Sequence, residues 1–144
     1  MGARLTNTRT GQVVDMVPEG QSRPLLYVVA GDRVKIDWTI TNIGGSQGNF
    51  TAVWVTGIGD KTYTGTLNPN QSASGSDVVQ YTQPTNQFPS TFYVIGPDNN
   101  INDIRRADVV VLAPARFRID DPPLLKSLRI RLNKRLINGI PMMI

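Results

Sequence analysis

The side chains that carry most protein chemistry near neutral pH are missing from this sequence: its 144 residues include no histidine and no cysteine. The usual general base and the commonest metal ligand go with them, and so do serine and cysteine triads, histidine zinc sites, thiolate metal sites and disulfides. Carboxylate chemistry survives, but it needs two acids converging in a cleft. The one adjacent acidic pair is Asp120-Asp121, beside Pro122-Pro123 in what reads as a tail. Asp98-Asn99-Asn100-Ile101-Asn102 spells the first half of an EF-hand loop. Its sixth position is Asp103 where such a loop needs Gly, and its twelfth is Val109 where it needs Glu, so the ligand set fails. The stretch reads as a solvated turn between strands. Asn49-Phe50-Thr51 and Asn70-Gln71-Ser72 are glycosylation sequons that matter only in a secreted chain. The expectation is therefore a protein that is not an enzyme, with no catalytic residues, no metal site and no cofactor.

The chemistry that remains is recognition, and charge points to where it is concentrated. The net charge of +4 is unevenly spread: residues 1–114 hold eight basic and nine acidic side chains, residues 115–144 seven basic and two acidic. The basic set is Arg116, Arg118, Lys126, Arg129, Arg131, Lys134 and Arg135. Leu128-Arg129-Ile130-Arg131-Leu132 alternates as a strand would, while Leu125, Leu128, Leu132 and Leu136 also fit helical spacing. Asn138-Gly139 is a hairpin-type turn signal, and Pro141-Met142-Met143-Ile144 leaves an apolar end that should dock on something. The partner-binding residues expected from this pattern are Leu128, Arg129, Ile130, Arg131, Leu132, Lys134, Arg135, Met142, Met143 and Ile144. Arg129, Arg131, Lys134 and Arg135 could track phosphates, but the tail has a single aromatic residue, Phe117, and so lacks a stacking platform. Nucleic acid is thus the weaker partner; an acidic protein surface with apolar pockets fits the mixture better.

The middle of the chain reads as strands. Val34, Ile36, Trp38 and Ile40 alternate with Lys35, Asp37, Thr39 and Thr41, which predicts one buried and one solvated face. Further strands are expected over 25–29, 50–56, 61–67, 78–82, 91–95 and 107–112, about seven in all. Gly, Pro and Asn punctuate them at hairpin-like intervals, and no helix is expected in residues 25–114. Such a pattern predicts an all-β, immunoglobulin-like β-sandwich. Trp38 and Trp54 should then be core residues, not a sugar-binding platform. Residues 1–24, apolar only around Val13-Val14 and Met16-Val17, are expected to form an N-terminal arm or an edge strand. Residues 115–144 are expected to form a basic, apolar C-terminal arm. No stretch approaches the roughly 18 apolar residues of a membrane span, and the N-terminus lacks the apolar run of a signal peptide, so synthesis in the cytosol without a membrane partner is expected.

Four stretches within residues 25–112 resemble the CARDB family of adhesion-related immunoglobulin-like modules. They are Gly31-Asp32-Arg33-Val34-Lys35-Ile36, Thr41-Asn42-Ile43-Gly44, Leu67-Asn68-Pro69-Asn70-Gln71-Ser72, and Phe92-Tyr93-Val94-Ile95 followed by Pro97-Asp98-Asn99-Asn100-Ile101. Asn70 stands where the family pattern has Gly, and Pro97-Asp98 reverses its Asp-Pro. The resemblance implies the fold more than the function, because such sandwiches host many activities. The layout of a compact β-domain with an arm at each end is similar to the capsid decoration (cement) proteins of tailed phages, those of thermophilic phages included. It implies a virion component on the capsid surface, assembled in the host cytoplasm. Its partners would be the major capsid protein or another protein lattice, and a homo-oligomer, with a trimer favoured. The alternatives are an adhesion or carbohydrate-binding module of a surface protein, and a nucleic-acid-associated protein using the basic tail.

Overall fold

Alternating β-branched and aromatic residues suit a pleated, half-buried surface, and this chain forms strands throughout its first 112 residues. The structure, a computed structural model, describes residues 2–122. Ten strands are present and no helix occurs among the described residues: β1 (Ala3–Asn7), β2 (Val13–Asp15), β3 (Val17–Pro18), β4 (Leu25–Val29), β5 (Arg33–Thr41), β6 (Gly48–Val55), β7 (Asp60–Leu67), β8 (Ser72–Gln80), β9 (Thr85–Ile95) and β10 (Ile101–Leu112). One sheet has the order β2-β1-β5-β8. The other runs β3-β10-β9-β6-β7, with β4 also pairing β10, in parallel, over Leu25–Val29. The two sheets pack face to face as an immunoglobulin-like sandwich.

The facing of β5 follows its alternation. Val34, Ile36 and Trp38 are buried, Lys35, Asp37 and Thr39 lie on the outer face, and Ile40 is partly buried against the core. Leu5, Leu26, Val28, Val34, Ile36, Trp54, Val109 and Val111 are fully enclosed between the sheets. Each contributes about 1.5–3 kcal/mol through the apolar surface it removes from water.

The strand count of about seven is corrected to ten. The seven expected strands are present, and β1, β2 and β3 are added by the segment expected to be an arm or edge strand. Leu5 and Ala3 on β1, with Val14 and Met16, enter the core, and β1 fills an interior place between β2 and β5. Three strands, β8, β9 and β10, also begin well before their hydrophobic pattern suggests. β8 begins at Ser72, six residues before its expected start, because Ser-Ala-Ser-Gly-Ser-Asp has no apolar alternation to display.

Small residues in that stretch are required by the core. Trp38 faces Gly75 across the β5–β8 ladder, and a Cβ at Gly75 would lie 2.6 Å from Trp38 Cε2. Phe50 faces Gly65 on β7 in the same way, with a Cβ there 2.7 Å from Phe50 Cε1. The Trp38 ring stacks on Phe92, with centroids 5.8 Å apart, and tilts against Tyr63 at 5.3 Å.

Buried polar groups are tied down by long-range hydrogen bonds. Asp32, in the turn between β4 and β5, accepts from Asn7 Nδ2 at 2.9 Å, from Val29 N at 2.9 Å and from Arg9 Nε at 2.5 Å. The Arg9 hydrogen bond comes first among the causes that hold the Asp32 carboxyl well below the usual carboxylate range, against burial acting in the opposite direction. This clamp fastens the β1–β2 hairpin to the body of the sandwich. Trp54 Nε1 donates to Ser90 Oγ at 3.0 Å, and Tyr81 Oη donates to the Thr56 carbonyl at 2.5 Å.

The chain divides into two units after residue 114. Within the second, residues 115–122 form no strand, Phe117 and Ile119 are exposed, and Arg118 Nε donates to Asp120 Oδ1 at 2.6 Å.

Candidate docking edge

A sheet exposes hydrogen-bonding capacity only at its edges, so the ends of the strand order are where a sandwich can recognise another chain. The edge formed by β2 is three residues long, and on the other sheet β3 contributes two edge residues and β4 five. On the other side both edges are long: β7 has eight residues and β8 has nine. They are consecutive strands in opposite sheets, so one side of the sandwich carries two extended edges together.

The ladder fixes which residues face outward along each edge. Thr39 N donates to Gly2 O at 2.9 Å, toward β1, so its β8 partner Ser74 belongs to a pair that exchanges no backbone bonds. Ser72, Ser74 and Ser76 therefore turn their N–H and C=O groups to the free edge. On β7, the turn bond from Thr56 N to Gly59 O sets the same alternation, and Thr62, Thr64 and Thr66 hold the edge positions. Every residue of these two triplets carries a hydroxyl.

On the outer face of β8 the hydroxyls are already engaged. Ser74 Oγ meets Thr39 Oγ1 at 2.9 Å, Ser72 Oγ meets Thr41 Oγ1 at 2.6 Å, and Ser76 Oγ donates to Asp37 Oδ1 at 2.5 Å. The inner face holds Ala73, Gly75, Asp77 and Val79. Asp77 Oδ2 accepts from Tyr63 Oη at 2.8 Å, which spans the gap between the two edges. Burial first, and then Asp77, raises the Tyr63 phenol above its ordinary range. Asp77 Oδ1 also accepts from Val78 N at 2.8 Å, occupying a backbone donor at the edge. An inward carboxylate of this kind blunts an edge locally. Beside it, Ile58, Lys61, Val78 and Gln80 border a shallow groove of about 280 Å³. Trp38 Nε1, behind Gly75, is the one buried side-chain polar atom among the described residues without a hydrogen-bond partner.

Two other surfaces deserve comparison on the same terms. The outer face of the β9-containing sheet brings Val53, Tyr93 and Ile104 into one cross-strand row, with Ile95 and Ile101 in the next. It is apolar, and Ile101 is 56% exposed. A basin of about 540 Å³ lies between residues 18–23 and the outer side of β10. Its charges pair with one another: Arg106 with Glu19 at 2.5 Å, Arg23 with Asp108 at 3.1 Å.

Of the residues expected to bind a partner, Leu128, Arg129, Ile130, Arg131, Leu132, Lys134, Arg135, Met142, Met143 and Ile144 all lie outside the described residues. The loop at 98–102 is an Asx-type turn: Asp98 Oδ1 accepts from Asn100 N at 3.1 Å and Asp98 Oδ2 from Asn100 Nδ2 at 3.0 Å. These bonds, the side-chain one first, hold the Asp98 carboxyl below its usual range. Trp38 and Trp54 are interior, so a carbohydrate platform built on them is absent from the surface. The β8 edge escaped the reading of apolar periodicity. Its signal is a polar one, a hydroxyl at every second position over 62–66 and again over 72–76. No protein-family model matches this sequence, and no curated protein matches it.

Proposed function

We propose that this chain is a structural protein, not an enzyme, that works by binding protein surfaces, decorating and bracing a lattice as the capsid decoration proteins of tailed phages do. The observation that carries this reading is the side of the sandwich where the outer edges of β7 and β8, eight and nine residues long, pair with no strand among the described residues. Long edges are normally shortened, charged or covered, and an extended segment of a neighbouring protein covers one by strand addition. The basic and apolar composition of residues 115–144 supports the same reading from the sequence, since such a segment suits an acidic surface with apolar pockets. The major capsid protein is the partner proposed, the virion surface the location, and a trimer at a symmetry axis the assembly suggested by the layout. The test is co-sedimentation of the full chain with purified heads of the phage that carries its gene. Saturable binding at a fixed stoichiometry, with heads that resist heat better when loaded, is the expected result. A chain that stays in the supernatant at micromolar concentrations, with heads unchanged, refutes the reading.

A further inference from the structure

Among the described residues no strand pairs with the outer edge of β8, and the sequence along that edge is nearly symmetric. Ser72-Ala73-Ser74-Gly75-Ser76 is close to a palindrome, and both of its ends are fixed. The turn containing Asn70, with φ of 63°, ends it on one side. On the other, Asp77 Oδ1 occupies the N–H of Val78. Between these stops lie three residues, Ser72, Ser74 and Ser76, whose backbone donors and acceptors face outward, as the Thr39 N to Gly2 O bond requires.

We infer that two copies of this chain associate by antiparallel pairing of β8 with β8 about a two-fold axis at Ser74, joining their four-stranded sheets into one continuous sheet. A two-fold axis perpendicular to the sheet puts residues of equal parity opposite one another. Ser74 then faces the partner's Ser74, and Ser72 faces the partner's Ser76. These facing pairs exchange roughly six backbone hydrogen bonds, two for each pair.

The side chains permit this register. On the inner face Ala73 meets the partner's Gly75, the smallest residues available, so no bulk holds the strands apart. On the outer face the serine hydroxyls already have partners in Thr41, Thr39 and Asp37, and pairing strands no polar side chain. The nearest charge, Asp77, falls opposite the partner's Gln71 and not the partner's Asp77, so like charges do not meet. The window contains no lysine and no proline, the residues that commonly forbid edge pairing. A contact of this kind is isologous and closes at two copies. It stands independently of the lattice reading, and a two-fold contact coexists with three-fold clustering in a closed shell.

The test uses the full chain in sedimentation velocity across a concentration series, where a reversible monomer–dimer equilibrium is expected. Ser74→Pro removes an N–H that points away from β5, so it should abolish the dimer while circular dichroism and melting show an intact fold. Ser74→Lys sets two ammonium groups opposite each other and should abolish the dimer as well; mixing it with Ser74→Glu should restore a heterodimer. Because the chain has no cysteine, Ser74→Cys should form an intermolecular disulfide under mild oxidation, while Gln80→Cys should not. A chain that stays monomeric into the millimolar range overturns the inference. So does a dimer that ignores both folded Ser74 variants, and so does a dimer lost on deleting residues 124–144 with β8 intact, which would make the tail the occupant.

Discussion

Replacing Gly75 by alanine should destabilise the protein, although glycine inside a strand ordinarily weakens it. The general expectation for Gly→Ala is a gain of roughly 0.5–1 kcal/mol, because alanine loses less conformational freedom on folding. At Gly75 that gain meets a specific obstacle. The new Cβ would lie 2.6 Å from Trp38 Cε2 and 3.0 Å from Trp38 Nε1, distances that require the ring to move. The ring has little room, since it is stacked on Phe92, tilted against Tyr63 and set edge-on to Phe50. Overpacking a closed site costs about 1–3 kcal/mol, so the net loss should be on the order of 1–2 kcal/mol after the alanine gain is subtracted. Urea unfolding followed by far-ultraviolet circular dichroism measures it, with Gly45→Ala as the control, since a Cβ at Gly45 meets nothing within 4 Å. In a Trp38→Phe background the indole atoms that collide are gone, so the cost of Gly75→Ala should shrink, a coupling visible in a double-mutant cycle. Gly75→Ala as stable as the parent, or equal costs in both backgrounds, would refute the packing of Trp38 on β8.

Three further outcomes follow from the interior. Trp38→Ala should cost about 3–5 kcal/mol through the cavity it leaves, and a loss under about 1 kcal/mol in the same urea assay would mean that β5 faces the other way. Tyr81→Phe should cost about 1–3 kcal/mol, because the buried Thr56 carbonyl loses the hydroxyl that donates to it; a neutral result in thermal melts would show that the carbonyl finds another donor. Asp32 has a folded-state pKa lowered below its unfolded value near 4, so its contribution is full above that value and fades as pH falls toward the folded-state pKa. The melting difference between the parent and Asp32→Asn should therefore be largest near neutral pH and narrow below pH of about 4; a difference constant from pH 7 to 2 would remove Asp32 from the acid response.

How much of this was legible depended on whether apolar periodicity carried the information. Val34, Ile36 and Trp38 alternate with polar residues, and β5 is placed and faced by that fact alone. Asn70 sits in a turn that its Asn-Pro-Asn context advertises. The N-terminal strands were harder to read, because β1 places only Ala3 and Leu5 inward before the polar Asn7. Asn7 is nonetheless fully buried, satisfied by Asp32 and by the Tyr27 carbonyl. No local pattern joins Asn7 to Asp32, 25 residues away, so a segment held in place by a buried polar clamp looks like a loose arm. The residues expected to bind a partner lie in 128–144, where sequence remains the guide to their role.

The β8 edge shows how a surface proposed to bind can lie in an unremarkable stretch. Its inward positions at Ala73 and Gly75 are small because Trp38 needs the space above them, as Phe50 needs the space that Gly65 leaves on β7. Its outward positions must be polar because they face water, and serine satisfies this with short side chains that bond back to β5. Together these demands leave the Ser72–Ser76 stretch of β8 with no bulky group on either face, which is the condition for another strand to approach its backbone. Core packing and edge accessibility thus share residues, and a substitution at Gly75 is expected to disturb both. Ser74 separates them: its N–H and C=O point away from β5, and its side chain leaves the core untouched. Variants at Ser74, which cost the fold no more than the exposed Thr39 hydroxyl contact, therefore test the proposed association, while variants at Gly75 report first on the fold.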